Sequence, residues 1–187
     1  LHKAIRRQRQ MCIRDRFDLY PDKQPERTLR QVIGHLPSLK KMGEISADDI
    51  YHNFRKYSPH MEAWIADIKE GQSAFDNTDI SKIPHTIKNG VVVYNAQKNG
   101  DKYTRQYWDK VAPCIHTRND IMASQNTVHP TDNRVFSIRE VMLMMSVPSS
   151  FAWTDISFKE LNAFSEKQKQ DCLLYTSPSP RDRSLSR

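Results

Sequence analysis

The sequence has little cysteine, few apolar residues and no long apolar run. The three cysteines, Cys12, Cys114 and Cys172, are too few and too far apart for a zinc site or a disulfide framework. Apolar residues make up 37% of the chain, below the roughly 45–50% of a typical globular protein. No run approaches the roughly 18 residues of a membrane span, and no signal-peptide core follows the basic start. These absences exclude disulfide-stapled and membrane-spanning proteins, and a content of only 5 glycines excludes a collagen-like chain.

The 187 residues carry a net charge of +7, with a pI near 9.4. Such an excess would ordinarily indicate a polyanionic partner such as nucleic acid. All of it lies at the two ends, because residues 1–16 and 172–187 hold nine basic and two acidic residues. Residues 17–171 hold 20 basic and 20 acidic residues. The charge of the middle therefore gives no argument for or against a nucleic-acid partner.

Both ends resemble translated DNA adapters. Met11–Arg16 can be encoded by ATG TGT ATA AGA GAC AGx, and Cys172–Ser177 by TGT CTC TTA TAC ACA TCT, the reverse complement of the same stretch. The DNA is similar to the transposon end used in sequencing libraries. We therefore predict that residues 1–16 and 172–187 are disordered adapter peptide and set them aside. The alternative is two flexible basic tails that bind nucleic acid.

Hydrophobic periodicity and capping signals predict four helices. Apolar spacing indicates a helix at Thr28–Leu36, with Thr28 as its N-cap, and a second at Pro59–Glu70, ended by Gly71. Capping boxes of the form Ser-x-x-Glu begin at Ser137 and Ser157. The first box precedes an apolar helix to Val147 that we expect to be buried on most sides, and the second begins a helix to about Gln168.

The strand signals are weaker. Val91–Tyr94 is a β-branched run, and the Asn99-Gly100 turn signal predicts a hairpin over residues 91–108. Residues 72–88 read as a loop. Val111–Thr117 and Thr127–His129 are candidates for further short strands. The elements together predict a small mixed α/β module.

The segment Asn126–Glu140 resembles the ninth motif of DNA cytosine-5 methyltransferases. That motif has His-Pro, a short turn, Arg, an apolar residue, Ser or Thr, any residue, and Arg-Glu before an apolar helix. The residues of this chain that match the motif are His129, Pro130, Arg134, Phe136, Ser137, Arg139 and Glu140. The run that follows, Met145–Phe151, keeps the family's Pro and Phe but departs from its Gln, Phe and Asp.

Two further segments resemble the same family and stand in the same order. Val111–Ile115 is similar to the family's Pro-Ala-Pro-Thr-Ile, with Cys114 in place of Thr. Arg27–Pro37 is similar to the Thr-Val-Arg…Leu-Pro helix that follows the eighth motif. The three resemblances span nearly all of residues 17–171.

The resemblance implies a fold class and a division of the chain. The fold class is α/β, here a mixed α+β fragment of a Rossmann-like methyltransferase, mainly its small target recognition domain and returning helix. Residues 17–57 would be the end of the catalytic-domain region with a connection. Residues 58–133 would be the target recognition domain, and residues 134–171 the ninth-motif helix region.

The resemblance also implies an activity. The family transfers a methyl group from S-adenosylmethionine to carbon 5 of cytosine in duplex DNA, here expected in a restriction–modification system of prokaryotic or phage cytoplasm. The chain has no Phe-x-Gly-x-Gly cofactor loop and no Glu-Asn-Val. Cys114 follows a Pro but lies too late in the motif order to be the family's nucleophile. We therefore expect a monomeric fragment that is inactive alone, with no catalytic, cofactor-binding or metal-binding residue and no membrane contact.

Two sets of residues follow from the resemblance. The ninth-motif residues Arg134, Ser137, Arg139 and Glu140 would organise the recognition module against the catalytic domain, or serve a wholly structural role. Ser137 and Glu140 can cap the helix, and Arg139 can pair with an acid elsewhere. Candidates for DNA contacts have side chains that bond base edges and phosphates, although each can also be a solvated loop residue. These candidates are Thr117, Arg118, Asn119, Ser124, Gln125 and Asn126.

Two other functions stay open from the sequence. One is a DNA-binding or nuclease subunit of a restriction system, with histidines as metal ligands or a base, although their spacing matches no metal motif. The other is an interaction module with no nucleic-acid role. The histidines in question are His52, His60, His85, His116 and His129.

Overall fold

The computed structural model describes residues 24–95, 101–115, 119–165 and 167–169. Both predicted adapter segments and the Asn99-Gly100 turn lie outside these residues. The described part is a mixed α and β module, with four short helices, a further helical turn at residues 167–169, two 3₁₀ turns and one pair of strands. The helices are α1 (Leu29–Ile33), α2 (His60–Ile65), α3 (Ile138–Met144) and α4 (Phe158–Ala163), the strands β1 (His85–Lys88) and β2 (Val91–Tyr94), and the 3₁₀ turns Ala74–Asp76 and Ile80–Lys82. None of the helices in the described part has the length and apolarity needed to cross a membrane.

Helix α1 begins where the sequence predicts. Thr28 is its N-cap, and the Thr28 side chain and the Gln31 side chain each accept from the other's backbone N–H. The prediction that the helix continues to Leu36 is wrong, because Gly34 caps it and the chain turns before Pro37. A helix seldom continues through the residue that precedes a proline.

Helix α2 ends at Ile65, so the predicted helix to Glu70 is also wrong. The guanidinium of Arg105 donates to the carbonyls of Ile65 and Ile68, at 2.6 and 2.8 Å. These carbonyls are thereby satisfied by a side chain instead of by later helical amides. The prediction that Gly71 ends the helix is therefore wrong as well: Ala66 is the C-cap, and Gly71, with a φ of +79°, lies in the turn beyond it.

The strand at Val91–Tyr94 is confirmed, but its predicted partner is wrong. It pairs antiparallel with His85–Lys88, which lies in the segment predicted to be a loop. The turn between the strands is Asn89-Gly90, with φ of +50° and +78°, and not Asn99-Gly100. Two-residue turns with both φ positive fit the twist of a hairpin, and Asn-Gly is their preferred sequence.

The other strand predictions reduce to isolated bridges. Val111 bridges Thr28, and Val128 bridges both Arg105 and Val135, without forming extended strands in the described residues. Helix α4 has the predicted capping box at Ser157 but ends at Ala163, because Phe164 adopts extended backbone. Residues 167–169, which include the predicted end at Gln168, are helical again.

The buried apolar residues of the module form three clusters. The largest surrounds Trp64 and joins α2 to the segments near residues 103, 122, 128 and 135. A second joins Tyr51, Met142 and Leu161, and a third joins α1 to Phe136. Helix α3 contributes to the second and third clusters from opposite sides. The prediction that the Met run is buried on most sides is wrong for Met145, which is 59% exposed.

Candidate functional site

The ninth-motif residues form a buried charge network at the start of α3. Arg134 is 1% exposed and Glu140 is 1% exposed. The guanidinium of Arg134 donates two parallel hydrogen bonds to the Glu140 carboxylate, from Nη1 to Oε2 and from Nη2 to Oε1, both at 2.8 Å. Such a two-pronged pair fixes both orientation and distance. It fastens the loop before α3 to the first turn of that helix.

The electrostatics of the pair favour its charged form. Burial alone would disfavour ionisation of Glu140, but the hydrogen bonds and charge of Arg134 outweigh it and hold the pKa of Glu140 below its ordinary value. The pKa of Arg134 is raised in spite of burial, since Glu140 and Asp132 both stabilise its charge. Asp132 accepts from Arg134 Nε at 3.0 Å and is the second acid of the network.

His129 lies beside this pair and is neutral. Its Nδ1 accepts the backbone N–H groups of Thr131 and Asp132, at 3.2 and 2.9 Å. Burial lowers the pKa of His129 to about 4, partly offset by the nearby charge of Glu140. The Nε2 atom, 3.7 Å from Glu140 Oε1, therefore carries the proton. His129 thus stabilises the turn after Pro130.

A hydrogen-bonded chain links the start of α3 to the segment after α1. Ser137 Oγ accepts the N–H of Glu140 at 3.2 Å, which confirms the predicted capping box. The Nε2 atom of His52 lies 2.7 Å from the carbonyl of Pro37, which can only accept, so Nε2 carries the proton. Nδ1 of His52 then accepts from the Ser137 hydroxyl at 2.9 Å.

Arg139 pairs with an acid, as the sequence predicts, and that acid is Asp49. Arg139 Nη2 donates to Asp49 Oδ1 at 3.0 Å, and Nη1 donates to the carbonyl of Phe151 at 3.2 Å. Its guanidinium lies over the ring of Tyr51, 4.9 Å from the centroid. Arg139 therefore holds the segments on both sides of α3 together.

Arg105 is the residue of this region that the sequence does not reveal. It is 4% exposed and makes five hydrogen bonds, of which four go to backbone carbonyls. Burial lowers the pKa of Arg105, and the charges of Asp132 and Glu70 offset this only in part. Its guanidinium joins the end of α2 to the turn at residues 129–133. An isolated Arg in a polar stretch carries no pattern that would have marked it for this role.

The amides at the start of α3 are already satisfied. The N–H groups of Ile138 and Arg139 donate to the carbonyls of Asn53 and Tyr51, at 3.1 and 2.9 Å, and that of Glu140 donates to Ser137. The network is thus closed by its own hydrogen bonds, with a neutral histidine and paired charges. It can hold the module together, and it is not arranged as an acid–base pair for chemistry.

The predicted DNA contacts fall in a separate turn, and Thr117 and Arg118 lie outside the described residues. Asn126 has a φ of +51°, and its Oδ1 accepts from Gln106 Nε2 at 3.2 Å. Gln125 is exposed and bridges Lys102, whereas Asn119 and Ser124 are partly buried. The structure brings Ser124, Gln125 and Asn126 together in one turn, and their role in DNA binding stays a prediction.

The remaining candidates are dispersed. His60 is exposed, His52 and His129 are buried, and His116 lies outside the described residues. Cys114 is exposed. Among the residues that the structure describes, no three His, Cys, Asp or Glu side chains are grouped as metal ligands would be.

Comparison with known proteins identifies a class of enzyme that this chain is similar to, namely type II methyltransferases. The Type II methyltransferase M1.HgaI of Avibacterium volantium is 31% identical over 151 residues, which covers 72% of this chain and 38% of that protein. The Type II methylase M.HgiDII of Herpetosiphon aurantiacus is 26% identical over 164 residues, covering 74% of this chain and 41% of that protein. The chain therefore spans about two fifths of the length of the curated relatives it matches. No protein-family model matches the chain, and no solved structure matches it.

Proposed function

We propose that this chain is part of a DNA cytosine-5 methyltransferase of a restriction–modification system, in which residues 58–133 recognise the target sequence. Two observations of sequence similarity support this proposal. Three segments resemble that family in its own order, and the two relatives above are named type II methyltransferases. Residues 17–57 and 134–171 are proposed to connect the recognition domain to the catalytic domain.

One observation carries the structural side of this proposal. The residues that match the ninth motif are contacts of a single buried network, in which Arg134, Glu140, Ser137 and His129 are joined by the bonds described above. A motif whose members satisfy one another in this way specifies a local structure. The proposal therefore assigns Arg134, Ser137, Arg139 and Glu140 to positioning the recognition module.

The cofactor of this reaction is S-adenosylmethionine, which supplies the methyl group. The described residues contain one antiparallel strand pair and no strand followed by a Gly-rich loop, so they do not fit this group, and we derive no step through it from this chain. We propose that the cofactor, the nucleophilic Cys and its partners belong to the rest of the protein, that the protein works in the cytoplasm, and that this chain alone is inactive. Isothermal titration of the chain with S-adenosylmethionine tests this point, and micromolar binding would contradict it.

The proposal is tested with the full-length protein encoded by the untruncated gene. Incubation with duplex DNA and S-adenosylmethionine, followed by digestion to nucleosides and mass spectrometry, should yield 5-methyl-2′-deoxycytidine. A methylated adenine or N4-methylated cytosine would contradict the cytosine-5 assignment. Cleavage of the duplex without methylation would instead support the alternative, a nuclease subunit of a restriction system.

A further inference from the structure

The β1–β2 hairpin presents apolar side chains that no described residue covers. Ile87 is 66% exposed and Val91 is 63% exposed, while Val92, Val93 and Tyr94 are 43–50% exposed. Because successive side chains of a strand point to opposite faces, Ile87, Val92 and Tyr94 lie on one face of the hairpin and Val91 and Val93 on the other, so both faces expose apolar side chains. A two-stranded hairpin is also only marginally stable in water by itself. The hairpin therefore has the composition of an element that is completed by a partner.

The base of the hairpin is anchored and its tip is open. His85 packs against Trp64 in the main core, with ring centroids 5.5 Å apart, and against Tyr94 across the strands at 6.0 Å. The N–H of Asn95 donates to the carbonyl of Pro84 at 2.9 Å. A Cβ built on Gly90 would meet no atom within 4 Å. The hairpin is thus held at one end and presents its turn to solvent.

The charge of this region favours a polyanionic partner. Between Asp79 and Asp101 the chain has no Asp or Glu and has three Lys, although residues 17–171 as a whole hold 20 acids. Lys82 is paired with Asp67 at the surface. Lys88 is exposed next to the turn. An acid-free element with a cation at its tip is complementary to a polyanion.

The register places side chains suited to base reading along the hairpin. Thr86 lies opposite Val93 and Lys88 opposite Val91, so these four share one face, and Asn89 occupies the turn. Asn side chains bond adenine, Lys contacts phosphate or guanine, and apolar side chains contact the thymine methyl group. The major groove of B-DNA, about 12 Å wide, admits a two-stranded β-ribbon.

We propose that the β1–β2 hairpin is a DNA-reading ribbon that enters the major groove of the target duplex with Lys88, Asn89 and Gly90 leading. This inference rests on the proposed function and moves the main recognition element from the turn near residues 119–126 to residues 85–94. Lys88 contacts phosphate at the groove edge, and Asn89 reads a base. Val91 and Val93 lie against thymine methyl groups or deoxyribose.

The phosphate contact is tested by fluorescence anisotropy of the full chain with a labelled duplex of randomised sequence over a range of salt concentrations. Lys88→Ala should weaken binding and make the negative slope of log affinity against log salt shallower by about 0.9. Lys159→Ala removes the same charge from the exposed face of α4 and should leave both quantities unchanged. Equal slopes for the Lys88 variant and the wild type would overturn the contact.

The base contact is tested by selection from a randomised duplex pool. Asn89→Gly retains a residue that tolerates positive φ, so the turn is preserved while the amide is lost. This variant should lose about tenfold in preference at one base position. An unchanged selected sequence would overturn the assignment of Asn89.

The outcomes separate this inference from the proposed function. If the chain selects a sequence from the randomised pool and both ribbon variants behave as the wild type does, the ribbon is wrong and DNA recognition stands. If the chain binds no duplex at all, DNA recognition by this chain is wrong and the ribbon with it. Sedimentation of the wild type and of Val92→Lys covers the remaining case, because a dimer that the variant dissociates would assign the hairpin to a second copy and overturn the inference.

Discussion

At the scale of single residues, the buried charges around α3 determine what each substitution does. Arg134 and Glu140 are both almost fully buried, and each is the main counter-charge of the other. A buried pair of this kind adds little over an apolar pair of equal volume, but the loss of one partner leaves an uncompensated charge. The network therefore favours this one arrangement of the chain, and removal of any one member lowers the stability of the fold.

Glu140→Gln should destabilise the module strongly, because it leaves the buried guanidinium of Arg134 without its main counter-charge. We expect a loss of about 3–5 kcal/mol in the free energy of unfolding, measured by urea denaturation. Glu160→Gln makes the same change in the exposed capping box of α4 and should cost far less. Equal losses at the two sites would show that burial of the pair contributes nothing.

His129 makes the stability depend on pH in a defined window. Its pKa is about 4 in the folded chain, against 6.5 for the ordinary residue, so between these values the unfolded state binds the extra proton. The contribution of His129 to the free energy of unfolding is therefore full above pH 6.5. It falls as the pH is lowered and is lost by about pH 4. The full difference corresponds to about 3 kcal/mol.

His129→Asn should abolish this pH dependence while keeping an acceptor for the amides of Thr131 and Asp132. Urea denaturation between pH 4 and 7 measures it, with His35→Asn at an exposed position as the control for residue type. Glu140 adds a second decline at lower pH, because its pKa is depressed in the folded chain. A wild-type slope in the His129 variant would contradict the assignment.

At the scale of elements, the short helices are held by side chains that come from elsewhere in the chain. Helix α2 has six residues and α1 has five, too few to be stable as isolated helices. The end of α2 is satisfied by Arg105, and the start of α3 by the backbone of residues 51–53. Long-range contacts of this kind fix where each helix stops.

Arg105→Lys should loosen the junction between α2 and the turn at residues 129–133. A single ammonium cannot reach the four carbonyls and Asn133 that the planar guanidinium serves. We expect a loss of about 3 kcal/mol in stability and faster hydrogen exchange at the amide of Gly71. Arg55→Lys, at a half-exposed pair with Asp120, is the matched control, and equal effects of the two changes would contradict a special role for Arg105.

Local signals predicted the beginnings of elements better than their ends. The caps at Thr28, Ser137 and Ser157 are each short sequence patterns with a local mechanism, and each is confirmed. The end of α2 depends on Arg105, which lies about forty residues away in sequence. The residues next to the end of α2 contain no sequence signal that would predict such a contact.

The hairpin shows the same limit. The sequence has two Asn-Gly pairs, and the pairing of residues 85–88 with residues 91–94 places a turn at Asn89-Gly90, whereas Asn99-Gly100 lies outside the described residues. In the candidate site, the pattern indicated Arg134, Ser137, Arg139 and Glu140. Their partners His52 and Asp49 come from segments whose sequence has no motif, and Asp132 stands in the short turn of the ninth motif, where the pattern specifies no residue.

At the scale of the whole molecule, net charge is a poor guide to the partner. The excess of +7 belongs entirely to residues 1–16 and 172–187, whereas the remaining charges balance. The case for DNA rests instead on the order of three family-like segments, on the similarity to type II methyltransferases, and on an acid-free hairpin. The chain corresponds to about two fifths of those relatives, so methyl transfer is proposed for the whole protein.

The central claim is that the whole protein methylates carbon 5 of cytosine in duplex DNA. Nucleoside analysis of DNA treated with the full-length protein and S-adenosylmethionine measures this directly. The account predicts 5-methyl-2′-deoxycytidine within one short sequence context. Methylation at adenine or at N4 of cytosine, or DNA that stays unmethylated while the protein is folded, would contradict it.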